Sequence, residues 1–155
     1  MRIVMLMIVS LLMVGPVLAD DVDPLLGLWA TPADDDGGQG HVEITRKGDG
    51  YRGQLVWLAE PVYAPDDEKG MGGKAKVDRE NPDPALRSRP TNGLVVLEGF
   101  VRSGTNKWTD GTIYDPNNGK TYRCKMQLKG ERLKVRGYIG ISLLGRTTMW
   151  TRVNR

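Results

Sequence analysis

The segment Gly27-Leu28-Trp29-Ala30-Thr31 opens a series of short, strand-like runs that continues to the end of the chain. The last run closes with Trp150-Thr151-Arg152. In a closed antiparallel barrel the first strand pairs with the last, and an aromatic ring beneath a cation can plug one end. We therefore predict that Trp29 and Arg152 close the barrel, with Arg146 as the competing cation for the Trp29 ring.

Between these two ends, apolar residues alternate with polar ones in runs bounded by Gly, Asn and Asp, which is the pattern of strands joined by turns. The pattern predicts an all-β fold of eight antiparallel strands in up-and-down order, because the joints are short and connect sequential runs. A two-sheet sandwich is the rival arrangement. The predicted strands cover residues 27–31, 41–47, 51–58, 94–102, 107–114, 120–128, 132–139 and 146–153.

Residues 59–93 interrupt this rhythm as one long Pro-rich loop that holds five of the nine prolines. Only 81–88 could form a helical turn, with Asn81 as its cap. Long loops in compact domains are often lids or binding loops. Arg87 and Arg89 would either bind a carboxylate or phosphate, or pair with Asp78 and Asp83 and pin the loop over the barrel mouth.

The first nineteen residues predict a cleaved signal peptide, and residues 20–155 predict a single domain. Arg2 precedes an apolar run, and Val17-Leu18-Ala19 provides small residues before the expected cleavage point. An exported protein with one cysteine, Cys124, relies on a hydrophobic core rather than on disulfides, which favours the bacterial periplasm. The apolar run is too short and wrongly flanked to be a membrane span.

The charge is mildly basic, with a net charge of +3, and this balance gives no reason to expect nucleic acid as a partner. Alternation puts four basic residues on one outer face of two neighbouring strands, where they are either simply solvated or bind an anionic lipid or cell-wall polymer. These residues are Arg123, Lys125, Lys134 and Arg136.

Several motifs in order resemble a family of small secreted proteins of Gram-negative bacteria that is catalogued only as a domain of unknown function. The resemblance covers nearly all of the chain after the signal peptide. It implies a lipocalin-like (calycin) barrel in the periplasm, and it implies no activity. The matching pieces are Gly27-x-Trp29-x-Thr31-Pro32, Asp78-x-x-Asn81-Pro82-Asp83-Pro84, Arg87-x-Arg89-Pro90, Gly93, Trp108, Gly111, Tyr114-Asp115-Pro116, Gly119-Lys120-Thr121-Tyr122, Arg136-Gly137-Tyr138-Ile139-Gly140 and Trp150-Thr151-Arg152.

Five aromatic residues are candidates to line the barrel interior, either around a ligand or as the filling of a ligandless core. Together with Arg87 and Arg89 they form the predicted ligand site. Glu98 lies in a run whose two faces are both apolar, so the sequence leaves its facing open. The five aromatic residues are Trp57, Trp108, Tyr114, Tyr122 and Tyr138.

No catalytic pattern is recognisable, and we predict neither an enzyme nor a cofactor. His41 is the only histidine, which excludes a His-based metal site within one chain. The turn at Asp34–Asp36 lacks the alternating ligands of a calcium loop. The apolar joint 140–145 either contacts a partner or membrane, or tucks against the barrel end, and the second arrangement is the expected one.

The sequence thus predicts a periplasmic lipocalin-like binding protein for a small, partly apolar and acidic ligand. The alternative is an envelope protein-interaction module whose barrel is filled and holds no ligand.

Overall fold

The computed structural model of the chain describes residues 23–33 and 38–154. The predicted signal peptide and the Asp34–Asp36 turn lie outside these residues. The predicted fold class is confirmed: eight antiparallel strands form a closed barrel in which each strand pairs with its neighbours in sequence. The strands are β1 Gly27–Ala30, β2 Gly40–Lys47, β3 Gly50–Leu58, β4 Val95–Gly104, β5 Lys107–Asp115, β6 Lys120–Lys129, β7 Arg132–Tyr138 and β8 Gly145–Arg152.

Closure occurs between the first and last strands. Trp29 pairs with Arg152 and Ala30 with Thr151, and the Val153 amide donates to the Leu28 carbonyl at 2.9 Å. Because β1 ends at Ala30, it pairs with only the last part of β8.

In this up-and-down order, successive connections lie alternately at the two ends of the barrel. One end, the closed end, carries the short turns after β2, β4 and β6, and the segment 23–26. The other end, the open end, carries the connections after β1, β3, β5 and β7, including the long loop 59–94. The core fills the barrel toward the closed end, where Leu25, Trp29, Phe100 and Trp108 are fully buried.

The long loop contains the one helical element of the described residues, a 3₁₀ turn at Pro84–Leu86. The prediction that Asn81 caps it is wrong, because the cap is Asp83, whose Oδ1 accepts from the Ala85 amide at 2.9 Å. The Asn81 side chain instead accepts from the Asp83 amide and donates to Asp78. None of the described residues forms a helix with the length and apolar character that crossing a membrane requires.

Candidate functional site

The candidate site is a cavity of about 540 Å³ at the open end of the barrel. Its inner wall is apolar and is formed by inward residues of six strands, β2, β3, β4, β5, β7 and β8. Its mouth lies between the connections after β1, β3, β5 and β7. The volume falls within the range of small-molecule pockets, roughly 300–1,000 Å³. The apolar wall includes Val42, Leu55, Val96, Ile113, Val135 and Trp150.

Gly137 keeps part of this space empty. It pairs with Cys124 across β6 and β7 and lines the cavity. A Cβ at this position would lie 3.3 Å from Ile113 Cγ2 and 3.7 Å from Tyr122 Cβ. Any larger side chain at position 137 would therefore project among the residues that line the cavity.

In the described part of the chain, four charged residues line the cavity, and they differ in their partners. Lys76 Nζ lies 3.5 Å from Glu60 Oε2. Asp115 accepts from the Asn117 amide at 3.0 Å and from Asn118 Nδ2 at 2.8 Å, so its carboxylate stabilises its own turn. Arg146 is on the same face of β8 as Thr148 and Trp150. Its guanidinium group has no hydrogen-bond or ion-pair partner among residues 23–33 and 38–154.

The predicted aromatic residues separate into three environments. Tyr114, Tyr122 and Tyr138 line the cavity. Trp108 lies outside the cavity, fully buried in the core, with its ring centroid 6.1 Å from that of Tyr51 in an edge-to-face contact.

Trp57 corrects the prediction from alternation. His41 pairs with Trp57 but Val42 pairs with Leu55, so Val56 is an extra residue in β3. One extra residue reverses which side chains face inward, and this is the usual effect of a β-bulge. Trp57 consequently lies on the outside, 44% exposed, with its ring 4.4 Å from that of His41.

The two loop arginines also lie away from the cavity. Arg89 forms an ion pair of 2.7 Å with Asp78, which is completely buried. Arg87 Nε donates to the Asn81 carbonyl at 2.7 Å. Neither guanidinium group lines the cavity, and both contact the loop itself, as in the loop-pinning alternative.

Asp78 connects this loop to the barrel wall. Its carboxylate accepts from the Tyr114 hydroxyl at 2.5 Å and from Asn81 Nδ2 at 2.7 Å, in addition to Arg89. Burial, followed by the hydrogen bond to Asp78, raises the pKa of Tyr114 to about 12. The tyrosine therefore stays protonated and donates, which satisfies the buried carboxylate.

At the closed end the cation over the Trp29 ring is Arg152, not Arg146. The Arg152 guanidinium lies 4.2 Å from the ring centroid, and Nη1 donates to the Leu26 carbonyl at 3.0 Å. Trp29 Nε1 donates to the Leu25 carbonyl at 2.9 Å. These contacts tie segment 23–26 across the barrel end, and they are structural.

Glu98 lies on the outer surface, which answers the question of facing that the sequence left open. Lys47 Nζ donates to Glu98 Oε1 at 2.6 Å, and this hydrogen bond lowers the pKa of the carboxyl group. With its side chain 53% exposed, Glu98 is not a buried carboxylate.

Sequence reasoning missed Arg146 as a cavity residue because it was weighed only as a partner of Trp29. The alternation of Arg146, Thr148 and Trp150 in β8 is a signal that could have placed it on the inner face. Whether Arg146 packs on Trp29 or lines the cavity could be decided only once the register of β8 was known.

Comparisons with known proteins agree with this fold. Residues 27–152 match the family described as "Uncharacterized protein conserved in bacteria (DUF2147)". Among solved structures, the chain is similar to protein HP1028 of Helicobacter pylori, which is described as belonging to the lipocalin family. That similarity has a TM-score of 0.71 and 24% sequence identity, over 84% of this chain and 83% of the other. No curated protein matches the chain.

Proposed function

This chain belongs to the DUF2147 family of bacterial proteins, and we propose that it binds a small, partly apolar ligand with an acidic group in the cavity at the open end. The observation that carries the proposal is an apolar wall beside one lining cation, Arg146, whose guanidinium group has no partner in the part of the chain that the structure describes. Apolar surface favours the hydrocarbon part of a ligand, and a few placed polar groups orient it.

Arg146 supports the acidic character of the ligand. The lining carboxylates Glu60 and Asp115 already accept hydrogen bonds or an ion pair, and Lys76 lies against Glu60. Arg146 is therefore the lining cation whose charge is left for a ligand. Guanidinium groups bind carboxylates with two parallel hydrogen bonds, which fixes the orientation as well as the affinity.

The periplasm is the proposed location, supported by the export-signal pattern in residues 1–19. A ligandless interaction module is less favoured, since that alternative assumes a filled barrel, whereas the core fills only the part toward the closed end.

The test is calorimetric titration with decanoate and with decanol, which share an alkyl chain and differ in charge. We expect decanoate to bind more tightly than decanol to the wild-type protein. Arg146→Gln should lose this difference, because it removes one charge-assisted contact and raises the Kd for decanoate by roughly tenfold. Its binding of the alkyl chain, and so of decanol, should stay the same. Gly137→Leu should weaken both ligands because its side chain fills the cavity.

Lys107→Gln is the matched control, since it removes an exposed positive charge at the closed end. It should leave both affinities unchanged. Binding of both ligands that is unaffected by Gly137→Leu would contradict a site in this cavity, as would native mass spectrometry showing that neither ligand binds.

A further inference from the structure

The connection between β7 and β8 exposes four aliphatic side chains at the mouth of the cavity. Their exposed fractions are 68% for Ile139, 60% for Ile141, 82% for Leu143 and 70% for Leu144. We call these four residues the apolar rim. The sequence favours a joint that tucks against the barrel end, and the structure corrects this expectation, because these side chains point to solvent.

Two basic side chains on the outer surface hold the joint in this position. Arg136 Nε donates to the Ser142 carbonyl at 2.7 Å and its Nη2 donates to the Leu143 carbonyl at 3.2 Å. Lys125 Nζ donates to Ser142 Oγ at 3.1 Å. Since carbonyl and hydroxyl oxygens are neutral, these bonds fix the loop and leave both positive charges uncompensated.

The strands beside the rim carry a strong excess of positive charge. From Lys120 to Asn154 the sequence has nine Lys and Arg residues and one acidic residue, Glu131. Glu131 lies in the turn between β6 and β7 at the closed end, where Lys129, Arg132 and Arg152 also lie. The basic residues nearer the rim are Lys120, Arg123, Lys125, Lys134, Arg136 and Arg146. Because the whole chain has a net charge of only +3, the rest of it is acidic on balance. Such segregation of charge is typical of proteins that bind polyanions or membrane surfaces.

We propose that the apolar rim and the basic residues of β6 and β7 dock the protein onto an anionic lipid bilayer surface. Exposed aliphatic side chains next to Lys and Arg are the features that place a peripheral protein at a membrane interface. A protein partner fits less well, since protein interfaces favour aromatic residues and disfavour Lys. Residues 139–146 contain no aromatic residue.

Docking would bring the cavity mouth to the lipid. Ile139 and Leu144 belong both to the apolar rim and to the lining of the cavity, and Arg146 follows at the same edge. A ligand dissolved in the bilayer could then enter without crossing open water. The docking itself does not depend on whether the cavity holds a ligand.

The first test is flotation of the protein with vesicles of phosphatidylethanolamine and phosphatidylglycerol, compared with vesicles of phosphatidylcholine alone. We expect partition into the anionic vesicles only. Leu143→Ser with Leu144→Ser should weaken it by roughly tenfold or more. Arg123→Gln with Lys134→Gln should weaken it by about fivefold for each charge and reduce its dependence on salt.

Two control variants distinguish docking through the rim from an effect of losing any exposed aliphatic side chain and from an effect of filling the cavity. Val101→Ser removes an aliphatic side chain that is 41% exposed on β4, away from the rim, and should leave partition unchanged. Gly137→Leu should also float normally, since it fills the cavity without altering the rim. A loss of flotation in Gly137→Leu would therefore contradict independent docking, whatever its effect on ligand binding.

A second measurement locates the rim in the bilayer. Cys124 is completely buried, and burial raises its pKa to about 12, so the native thiol does not compete for a label. Leu143→Cys and Lys107→Cys each provide one exposed site for an environment-sensitive fluorophore. Anionic vesicles should shift the emission to the blue at position 143 and not at position 107. Equal shifts, equal flotation with neutral vesicles, or capture by envelope protein without vesicle binding would overturn the proposal.

Discussion

The two ends of this barrel use similar residues for opposite purposes. At the closed end Trp29 lies between the Arg152 guanidinium and the core, and Tyr51 donates to the buried Asp23 at 2.5 Å. At the open end Tyr122 and Arg146 line a cavity, and the Arg146 guanidinium group has no partner among the described residues. An aromatic ring and an arginine therefore indicate a structural plug or a ligand site according to what surrounds them.

The difference arises from what covers each end. Segment 23–26 crosses the closed end, where Leu25 is fully buried and Asp23 accepts from Arg46 at 2.7 Å. At the open end the long loop is fixed to β5 through Asp78 and Tyr114, and its residues Glu60, Lys76 and Thr91 line the cavity. Stability and binding are thus assigned to different ends, and each can be changed separately.

The largest expected effect comes from removing the plug. Trp29→Ala should lower the free energy of unfolding by about 3–5 kcal/mol, because a fully buried ring is lost together with the cation above it. The measurement is urea unfolding followed by circular dichroism. Trp57→Ala removes the same ring from the outer surface, and its effect should stay below about 1 kcal/mol. Similar losses in the two variants would contradict the assignment of Trp29 as the plug.

A smaller effect is expected where the loop meets the barrel. Gly119 has a φ of +69°, and a Cβ there would lie 1.8 Å from the Glu80 carbonyl oxygen. Gly119→Ala should therefore displace the loop, lower the free energy of unfolding by about 1–3 kcal/mol and increase proteolysis within residues 59–93.

Gly130→Ala is the control for backbone strain. Gly130, in the closed-end turn after β6, has a φ of +58°, and a Cβ added there would meet no atom of the described residues within 4 Å. The substitution should cost stability through strain alone and leave the loop resistant to protease. Equal protease sensitivity in both variants would rule out a specific contact between Gly119 and the loop.

The smallest expected effect is a pH dependence confined to the loop. The hydrogen bond from Arg79 lowers the pKa of Asp67, and the hydrogen bond from Lys69 lowers the pKa of Glu80. Because both pKa values are lower in the folded state, the stabilisation is complete above the ordinary values of 3.8 and 4.5 and is lost as the pH falls below them. Proteolysis within residues 59–93, by an acid-active protease, should increase over that range.

Arg79→Gln with Lys69→Gln serves as the matched variant for the pH experiment. The protease should cleave this variant more readily than the wild type at neutral pH, and the cleavage should no longer depend on pH. Wild-type cleavage that does not change as the pH falls through this range would contradict the role of these carboxylates.

The strand pattern was predictable from the sequence because each strand buries one face, and alternation records that face. Val42 and Ile44 are buried and flank Glu43, as expected for β2. Alternation failed at Trp57, because a single extra residue in β3 leaves no mark in the pattern. The positions of Arg87 and Arg89 were equally inaccessible, since a loop without periodicity does not indicate which carboxylate its arginines will contact.

The sequence by itself determined the eight-stranded barrel and the family, because both depend on local alternation, turn residues and motifs in order. Only the tertiary structure decided which half of the barrel is filled, where Arg146 lies and which surface is apolar. Those properties depend on register, on one bulge and on how connections cover the ends, and each is fixed by contacts between residues distant in the chain.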